Sequence, residues 1–166
     1  FGNSVLDFVY FTTDLTNLIT YGSSTYSNAN GTSNRHGAEM KFNSMISDNI
    51  YWRNNATFTV AEDGNGTRVT RRPKWTGLTA VDWNFDKWTN TAEYLFTGEH
   101  LDIDSSTYAT ITKPKVGVAN FHTNYEINEK SSMVFSLNNA FDKGYERPDG
   151  YSQHGRNILL TYKLKF

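Results

Sequence analysis

The last ten residues, 157–166, alternate apolar and polar side chains with a period of two. Successive side chains of a β-strand point to opposite faces. One face of this segment carries Ile158, Leu160, Tyr162, Leu164 and Phe166, and the other is polar except for Leu159. A strand in a bilayer needs this pattern, because one face meets lipid, the other meets a polar interior, and the backbone groups bond sideways. The segment therefore predicts a transmembrane β-strand.

The composition also favours a membrane barrel. The mean hydropathy is −0.60, yet 15% of the residues are aromatic. No run of about eighteen apolar residues exists, which excludes a helical span. Lipid-facing strands that alternate with a wet interior, together with aromatic girdles, give such a composition. A soluble β-sandwich also has short alternating strands and is the alternative at this level.

The turns divide the chain into eight predicted strands. They are 5–20, 35–45, 51–61, 74–85, 88–99, 115–127, 131–139 and 156–166. Three connections are tight, at 47–49, 86–87 and 128–130, and four are long, at 21–34, 62–73, 100–114 and 140–155. Outer-membrane barrels alternate short periplasmic turns with long extracellular loops, whereas sandwiches have no reason to do so. The rhythm predicts an all-β, transmembrane antiparallel β-barrel architecture with about eight strands in this chain.

Charged residues decide which face of each predicted strand points inward. A Lys or Arg on the lipid face near the midplane costs about 2–4 kcal/mol. We therefore assign Glu39, Lys41, Glu93 and Lys163 to the interior. In the first strand the assignment depends on Asp7 alone, which is predicted to face the interior. The residues that alternate with these acids and bases, such as Met40 and Tyr94 on their strands, are predicted to face lipid.

Four segments together resemble the TonB-dependent outer-membrane receptors. Residues 138–145 read NNAFDKGY and are followed by Gly155-Arg156 and the final strand, which resembles the end of these receptors. Tyr10-Phe11 with DLTNLI at 14–19, RHGAEM at 35–40 and RRPK at 71–74 resemble three other strand motifs of the family in the same order. Ala140 stands where the family usually has Leu. The details are most similar to the cobalamin, colicin and catecholate-siderophore receptors.

The resemblance implies that residues 1–166 are the C-terminal portion of a barrel of about 22 strands. It implies import of a scarce nutrient chelate, most often an iron siderophore and otherwise cobalamin or haem. The TonB system would act through a plug domain that this sequence lacks, as it lacks the N-terminal strands. The sequence begins at Phe1 without a leader, so we expect a mature, cleaved or truncated form of an exported protein. The expected location is the outer membrane of a Gram-negative bacterium.

Candidate ligand-binding residues lie mostly in the predicted loops. Arg68, Arg71 and Arg72 gather before the fourth strand, where guanidinium groups would suit an anionic siderophore or lipopolysaccharide phosphates. A structural role at the strand entry is the favoured alternative. Tyr108 and Tyr151 lie in long loops, where their rings would suit stacking on a catecholate or corrin. The four Trp residues suit interfacial girdles.

The sequence shows no pattern typical of a metal site, a cofactor site or a catalytic site. His122 is predicted to line the interior, and the four His residues lack metal-ligand spacing, so no metal site and no cofactor are predicted. No nucleophile motif or phosphate-binding glycine loop appears, so an enzyme is not predicted. A net charge of −1 argues against a nucleic-acid partner. The competing hypothesis is a complete small eight-stranded outer-membrane barrel with a structural or adhesive role.

Overall fold

The computed structural model describes residues 3–22 and 24–166, and its regular structure is entirely β. Twelve strands occur in these ranges. They are β1 (Ser4–Thr16), β2 (Ile19–Gly22), β3 (Thr25–Asn28), β4 (Thr32–Ser47), β5 (Ile50–Glu62), β6 (Trp75–Phe85), β7 (Trp88–Thr97), β8 (His100–Ile103), β9 (Thr110–Lys113), β10 (Val116–Asn128), β11 (Ser131–Asn138) and β12 (Asn157–Leu164). Within the same ranges, no helix has the length and apolar character needed to cross a membrane.

Eight of the strands form one antiparallel sheet in the order β1-β4-β5-β6-β7-β10-β11-β12. Each strand pairs with the next large strand along the chain, as expected for a meander of hairpins. The eight predicted strands and the antiparallel all-β class are confirmed. β1 and β12 form the two edges, and over the described residues they have no ladder and no contact with one another. The sheet is therefore open.

The structure differs from the sequence prediction in the first strand and in the loop at 100–114. The first predicted strand, 5–20, ends at Thr16, because Asn17 adopts a left-handed conformation with φ of 57°. Ile19 then belongs to a separate two-stranded hairpin, in which it pairs with Asn28. The predicted loop 100–114 likewise contains the β8–β9 hairpin. These hairpins have four residues per strand, too few for an alternation of side chains to stand out in the sequence.

The other predicted boundaries move by at most three residues. β4 begins at Thr32 rather than at 35, since its first residues pair with the end of β1: Thr32 lies opposite Thr16. In contrast, β7 is shorter than predicted and ends at Thr97 rather than at 99. The tight turn at 86–87 lies where it was predicted, between Phe85 and Trp88. Strand ends depend on the partner strand, which local sequence does not reveal.

The registers confirm that the residues predicted to share a face do so. Phe8 lies opposite Met40, and Asp7 lies opposite Lys41, so an apolar face and a polar face run through this strand pair. The same parity continues to the last pair, where Met133 lies opposite Tyr162 and Ser132 opposite Lys163. We call the two surfaces the apolar face and the polar face of the sheet.

The sheet has almost no apolar core. Among the described residues, Ala80 is the one buried hydrophobic residue, and the other buried side chains are polar. Large apolar side chains stay exposed instead: Phe8 is 67% exposed and Leu160 is 61% exposed. A soluble sandwich buries such residues between its sheets. This exposure therefore rules out the sandwich alternative for the described chain and requires an apolar surrounding.

All four Trp residues lie on the apolar face, where aromatic rings pack between neighbouring strands or, for Trp83 and Phe121, across β7. The ring pairs are Phe42–Trp52, Phe58–Trp75, Trp83–Phe121 and Trp88–Tyr125, with centroids 4.6–5.9 Å apart. Trp83 and Trp88 flank the tight turn at 86–87, and Trp75 stands at the opposite end of β6. Aromatic residues near both ends of the strands are typical of the two interfaces of a bilayer.

Polar residues on the apolar face satisfy one another. Trp52 Nε1 donates to Thr79 Oγ1 at 3.0 Å, and Thr79 Oγ1 donates to Asn54 Oδ1 at 2.7 Å. In a second group, Thr123 Oγ1 donates to Asn90 Oδ1 at 2.6 Å. A polar group without a partner is costly in hydrocarbon. Pairing across strands lets these residues remain on a face that is otherwise apolar.

Gly37 explains one of the family-like motifs. It lies opposite Phe11 on the polar face, and a Cβ at this position would stand 2.7 Å from Phe11 Cζ and collide with the carbonyl oxygen of Phe58. The ring of Phe11 thus covers the glycine, and the guanidinium of Arg35 lies 5.5 Å from the ring centroid. An aromatic residue that covers a strand glycine restores the packing that the missing side chain leaves out.

Candidate functional site

Four long connections emerge from the same end of the sheet. They span residues 17–31, 63–74, 98–115 and 139–156, and we call them the first to fourth long loops. At the other end, the connections of the described chain are tight turns, at 48–49, 86–87 and 129–130. The predicted alternation of long and short connections is confirmed. The long loops are therefore one layer, and the site is built from the contacts within it.

The first two long loops meet through glycines. A Cβ on Gly31 would stand 2.6 Å from the carbonyl oxygen of Gly64, and one on Gly64 would collide with the carbonyl oxygen of Asn30. Gly31 also has φ of 79°, a left-handed conformation that favours glycine. The two backbones approach so closely that only glycine fits on either side.

Asp102 connects the second, third and fourth long loops. Its carboxylate is 1% exposed and accepts from Arg71 Nε at 2.7 Å, from the Ile103 N–H at 2.8 Å and from the Asp149 N–H at 2.8 Å. Arg71 reaches this position with a left-handed backbone, φ 61°, and its own N–H donates to the Leu101 carbonyl. One buried carboxylate thus ties three separate segments of chain together.

The surroundings keep Asp102 charged. Burial by itself would raise the pKa of the carboxyl, but the hydrogen bonds from Arg71, Ile103 and Asp149 outweigh burial, and the pKa lies below its ordinary value. A buried charge needs such partners, because removal from water without compensation is costly. The arrangement is consistent with a structural role for Arg71.

A second group of charges joins the third and fourth long loops. Lys113 Nζ bonds to Glu146 Oε2 at 2.9 Å and also forms an ion pair with Asp149. Asp149 accepts from the Ser105 N–H at 2.8 Å. These bonds lower the pKa of Asp149 to about 2, and the two carboxylates raise the pKa of Lys113 above its ordinary value. We call Arg71, Asp102, Lys113, Glu146 and Asp149 the loop network.

Asn139 explains the motif at 138–145. Its side chain is buried; Nδ2 donates to the carbonyl oxygens of Lys143 and His154, and Oδ1 accepts from the Lys143 N–H. Asp142 then accepts from the Arg156 N–H at 2.7 Å, and a Cβ on Gly155 would stand 2.8 Å from this carboxylate. The Asn, Asp and Gly of the motif therefore fasten both ends of the fourth long loop to each other.

The fastened loop borders two partly open clefts that share lining residues. The upper cleft, of about 530 Å³, lies among the loops and is lined by His100, Lys113, Lys115, Lys143, Tyr145 and Arg147, among others. The lower cleft, of about 410 Å³, shares Tyr145 and Arg147 and adds Leu95, Val118, Asn120 and Asn138. The register places these four on the polar face of the sheet. The clefts thus run from the loop layer onto the polar face.

His122 lies on the same polar face, further along β10. Its Nε2 stands 3.9 Å from Glu93 Oε1, and the same Glu93 oxygen accepts from Asn120 Nδ2 at 2.8 Å. Nearby, Arg53 Nε and Nη2 donate to Asp82 Oδ2 and Oδ1 at 2.5 and 3.0 Å, and Thr91 Oγ1 also donates to Asp82 Oδ1. The polar face thus carries charges that are paired, as a face turned toward a water-filled or protein-filled interior requires.

The six sequence-predicted binding residues do not come together. Arg71 belongs to the loop network, and His122 lies on the polar face. Arg68 forms an isolated backbone β-bridge with Glu62, and Arg72 Nη1 donates to the Arg71 carbonyl at 3.3 Å. Tyr108 is 80% exposed and Tyr151 is 66% exposed, and neither lines the two clefts. Their part in ligand binding stays a prediction.

Sequence reasoning missed the residues that line the clefts. Lys115, Lys143 and Arg147 come from two segments that are distant along the chain, and no local spacing links them. The only signal was the motif at 138–145, which marked where the fourth loop folds back but gave no ligand role. Over residues 3–22 and 24–166, no three His, Asp or Glu side chains gather in a way that would hold a metal ion.

An open antiparallel sheet with an apolar face, a polar face, tight turns at one end and long loops at the other defines the wall of an outer-membrane β-barrel. Comparison with known proteins gives the particular family. The chain belongs to the TonB-dependent receptor family, since the family model for "TonB dependent receptor-like, beta-barrel" matches residues 1–140. The resemblance drawn from the four motifs is confirmed.

Individual relatives align with nearly all of this chain at low sequence identity. The vitamin B12 transporter BtuB of Vibrio cholerae is 29% identical over 164 aligned residues, which include 92% of this chain and 25% of the relative. Among solved structures, a variant of the ferric enterobactin receptor PfeA of Pseudomonas aeruginosa has a TM-score of 0.83 at 18% identity, covering 100% of this chain and 29% of that one. The ferric yersiniabactin uptake receptor FyuA of Yersinia pestis has a TM-score of 0.82 at 17% identity, covering 100% and 28%.

The chain therefore spans about a quarter of the length of its curated relatives. The structural likenesses establish a shared barrel-wall fold.

Proposed function

We propose that this chain is the C-terminal portion of the barrel of an outer-membrane receptor that imports a nutrient chelate. The observation that carries the proposal is the open sheet with one apolar and one polar face, in a chain of the TonB-dependent receptor family. The polar face would line the interior, and the long loops would face the cell exterior. The protein would lie in the outer membrane of a Gram-negative bacterium.

The unpaired edges support a larger barrel rather than a closed one of eight strands. In an antiparallel ladder, an edge strand directs half of its N–H and C=O groups away from the sheet. Each such group costs several kcal/mol if it meets hydrocarbon unpaired. β1 and β12 do not pair with each other in the described ranges. Strands outside this sequence would pair with both edges, and a plug domain outside it would fill the interior.

The proposed cargo is an iron siderophore, imported when the TonB system acts on the plug. This choice agrees with the basic residues that line the upper cleft. Cobalamin is the second candidate, and the observation in its favour is the 29% identity to a vitamin B12 transporter. Lipopolysaccharide at the outer rim is a further proposed partner. No enzymatic activity is proposed.

The first test is the intact mass of the protein isolated from its native outer membrane, with peptide sequencing upstream of Phe1. We expect a polypeptide several times larger than 18.9 kDa, with plug-like sequence before Phe1. A mass that matches these 166 residues, with a band that shifts on heating, would instead support a small closed barrel.

The second test concerns transport. We expect that deletion of the full-length gene abolishes uptake of a radiolabelled chelate, and that restored uptake stops when the proton gradient is dissipated. The assay uses ferric enterobactin and cyanocobalamin as separate probes. Uptake that persists in the deletion strain, or that continues without the gradient, would contradict the proposed function.

A further inference from the structure

The apolar face of the sheet carries a polar group at its middle. On β6, Thr79 lies midway between Trp75 and Trp83, which stand near the two ends of the strand. Thr79 Oγ1 bonds to Trp52 Nε1 and to Asn54 Oδ1, and Asn54 lies opposite Thr79 on β5. In the proposed barrel this group faces hydrocarbon near the bilayer midplane, where lipid tails offer neither a donor nor an acceptor.

The described chain uses only part of the bonding capacity of Asn54. Its amide has two N–H donors, and within residues 3–22 and 24–166 these make one bond, a long one of 3.4 Å to the Phe42 carbonyl. Its oxygen accepts from Thr79 and has a second lone pair. One donor and one acceptor site of the same amide are therefore left over. Because an unbonded polar group is costly in hydrocarbon, this amide favours a polar partner from outside the described chain.

An open groove of about 300 Å³ lies beside Asn54 on the apolar face. Two small residues, Ala56 and Gly77, lie opposite each other in it, and larger side chains flank them: Met40 on β4 and Phe96 on β7. A Cβ on Gly77 would meet only backbone atoms of β5 within 4 Å, so no side chain covers the glycine. Membrane proteins use small residues to let backbones approach closely and polar residues to bond across the contact.

We propose that this groove is a contact site for a second copy of the receptor, in which the two Asn54 amides bond to each other. Two copies have the same orientation in the membrane, so a two-fold axis along the membrane normal brings identical residues together at identical depth. Each Asn54 then donates its free N–H to the Oδ1 of the other, which makes the contact self-complementary. An acyl chain in the groove would leave both amides without this bond.

The shape of a barrel also fits a contact of this size. The outside of a barrel is convex, so two barrels that lie side by side touch along a strip only a few strands wide. β5 and β6 provide such a strip, since Ala56 and Gly77 permit close approach next to Asn54. The contact rests on the proposed location of the chain in the membrane and is independent of the cargo.

The test measures association of the full-length receptor by energy transfer in vesicles of phosphatidylethanolamine and phosphatidylglycerol. Donor and acceptor dyes are attached to separate preparations through Tyr151→Cys in the fourth long loop. We expect transfer above the level of random proximity, which reaches a plateau with receptor density and falls when unlabelled receptor is added in excess. The Asn54→Leu variant should associate about tenfold more weakly, because both bonds between the amides are lost.

Matched variants separate the contact from general effects on the wall. Asn90→Leu also removes an amide from the apolar face, but Asn90 is buried and bonded to Thr123, so we expect association like that of the wild type. Ala56→Phe fills the groove and should abolish association, whereas Ile158→Phe adds a ring to the same face on β12 and should not. The two Phe variants decide the question if either Leu variant fails to reach the wild-type amount or heat-modifiable mobility in the outer membrane.

The other outcomes would overturn the proposal. Transfer at the level of random proximity in the wild type would exclude the contact, and a phospholipid that co-purifies with the wild type but not with Ala56→Phe would then assign the groove to an acyl chain. Equal losses in the groove variants and their controls would show an unspecific effect. A monomeric receptor that still takes up its chelate would remove the contact and keep the transport function, whereas association of a receptor that transports neither probe would do the reverse.

Discussion

The sheet and the loop layer are held together in different ways. In the sheet, each strand bonds to its neighbour along the chain, and the side chains merely sort into an apolar and a polar face. In the loop layer, single polar contacts join residues far apart in sequence: Arg71 and Asp102 are separated by 31 residues, and Asp102 and Asp149 by 47. The sheet is held by many similar backbone bonds, whereas the loop layer depends on a few charged side chains.

This difference has a functional meaning. A wall has to present lipid with an apolar surface along its entire length, which many interchangeable residues achieve together. A layer that binds a ligand, as we propose for the long loops, would have to hold a few side chains in fixed positions. The buried carboxylate of Asp102 joins three of these loops at once. We therefore expect the effect of a substitution in the sheet to depend on the face on which the residue lies. In the loop layer, the effect should depend on which individual residue is replaced.

The largest expected effect comes from a charge on the apolar face. Leu160→Arg should destabilise the full-length receptor by about 2–4 kcal/mol, because Leu160 is on the apolar face of β12 near its middle. The neighbouring change Leu159→Arg is the control, since Leu159 lies on the polar face opposite Ser136. Urea unfolding in lipid vesicles measures both. Equal destabilisation by the two substitutions would contradict the assignment of faces.

A smaller effect is expected from a methyl group at Gly37. Gly37→Ala should lower the free energy of unfolding by about 1–3 kcal/mol, because the added Cβ overlaps the Phe58 carbonyl oxygen and meets the ring of Phe11. Gly144→Ala in the fourth long loop is the control, as a Cβ there has nothing within 4 Å. The same urea titration compares them, and a neutral Gly37→Ala would show that the Phe11 ring moves without cost.

Removing the charge of Asp102 should loosen the loops without unfolding the sheet. We expect Asp102→Asn to lower the protection of the second and fourth long loops against hydrogen exchange by about 1–2 kcal/mol, since Arg71 loses its ionised partner. Asp104→Asn is the matched control, because the Asp104 carboxylate bonds within its own loop, to the Ser106 and Thr107 N–H groups. Exchange that increases equally in β5 and β10 would contradict a separate layer.

The smallest effect is one of pH, and it should spare neutral conditions. The pKa of Asp149 falls from 3.8 to about 2 in the folded layer, through its bonds to Lys113 and Ser105. A lowered folded pKa contributes stability that is present above pH 3.8 and is lost as the pH falls through about 2. The pKa of Asp102 is lowered as well, so it acts in the same direction.

A dye on the fourth long loop of the full-length receptor, attached through Tyr151→Cys, reports this transition by fluorescence anisotropy. We expect constant anisotropy from pH 7 to 5, and a decrease as the pH falls from about 4 toward 2. The Lys113→Met variant should begin its decrease at a higher pH, since Asp149 loses its cation. A transition near pH 6 in the wild type would point to a histidine instead.

The sequence by itself determined the wall. Side-chain alternation has a period of two, which is a local property. Together with the turns it predicted the eight strands, and the charges of Asp7, Glu39 and Glu93 predicted which residues share the polar face. The same reasoning failed where the pattern was short. The four-residue strands β2, β3, β8 and β9 were predicted as loop, and residues 17–20 were assigned to the first strand.

Only the tertiary structure decided the loop layer. Arg71 was singled out as part of a basic cluster, yet its partner Asp102 lies in another loop, and nothing in the sequence links the two. Lys115, Lys143 and Arg147 line one cleft although they come from two distant segments, and Asn139 holds the fourth loop folded back on itself there. Contacts of this kind join residues that are tens of positions apart in the sequence, and the local alternation of side chains does not predict them.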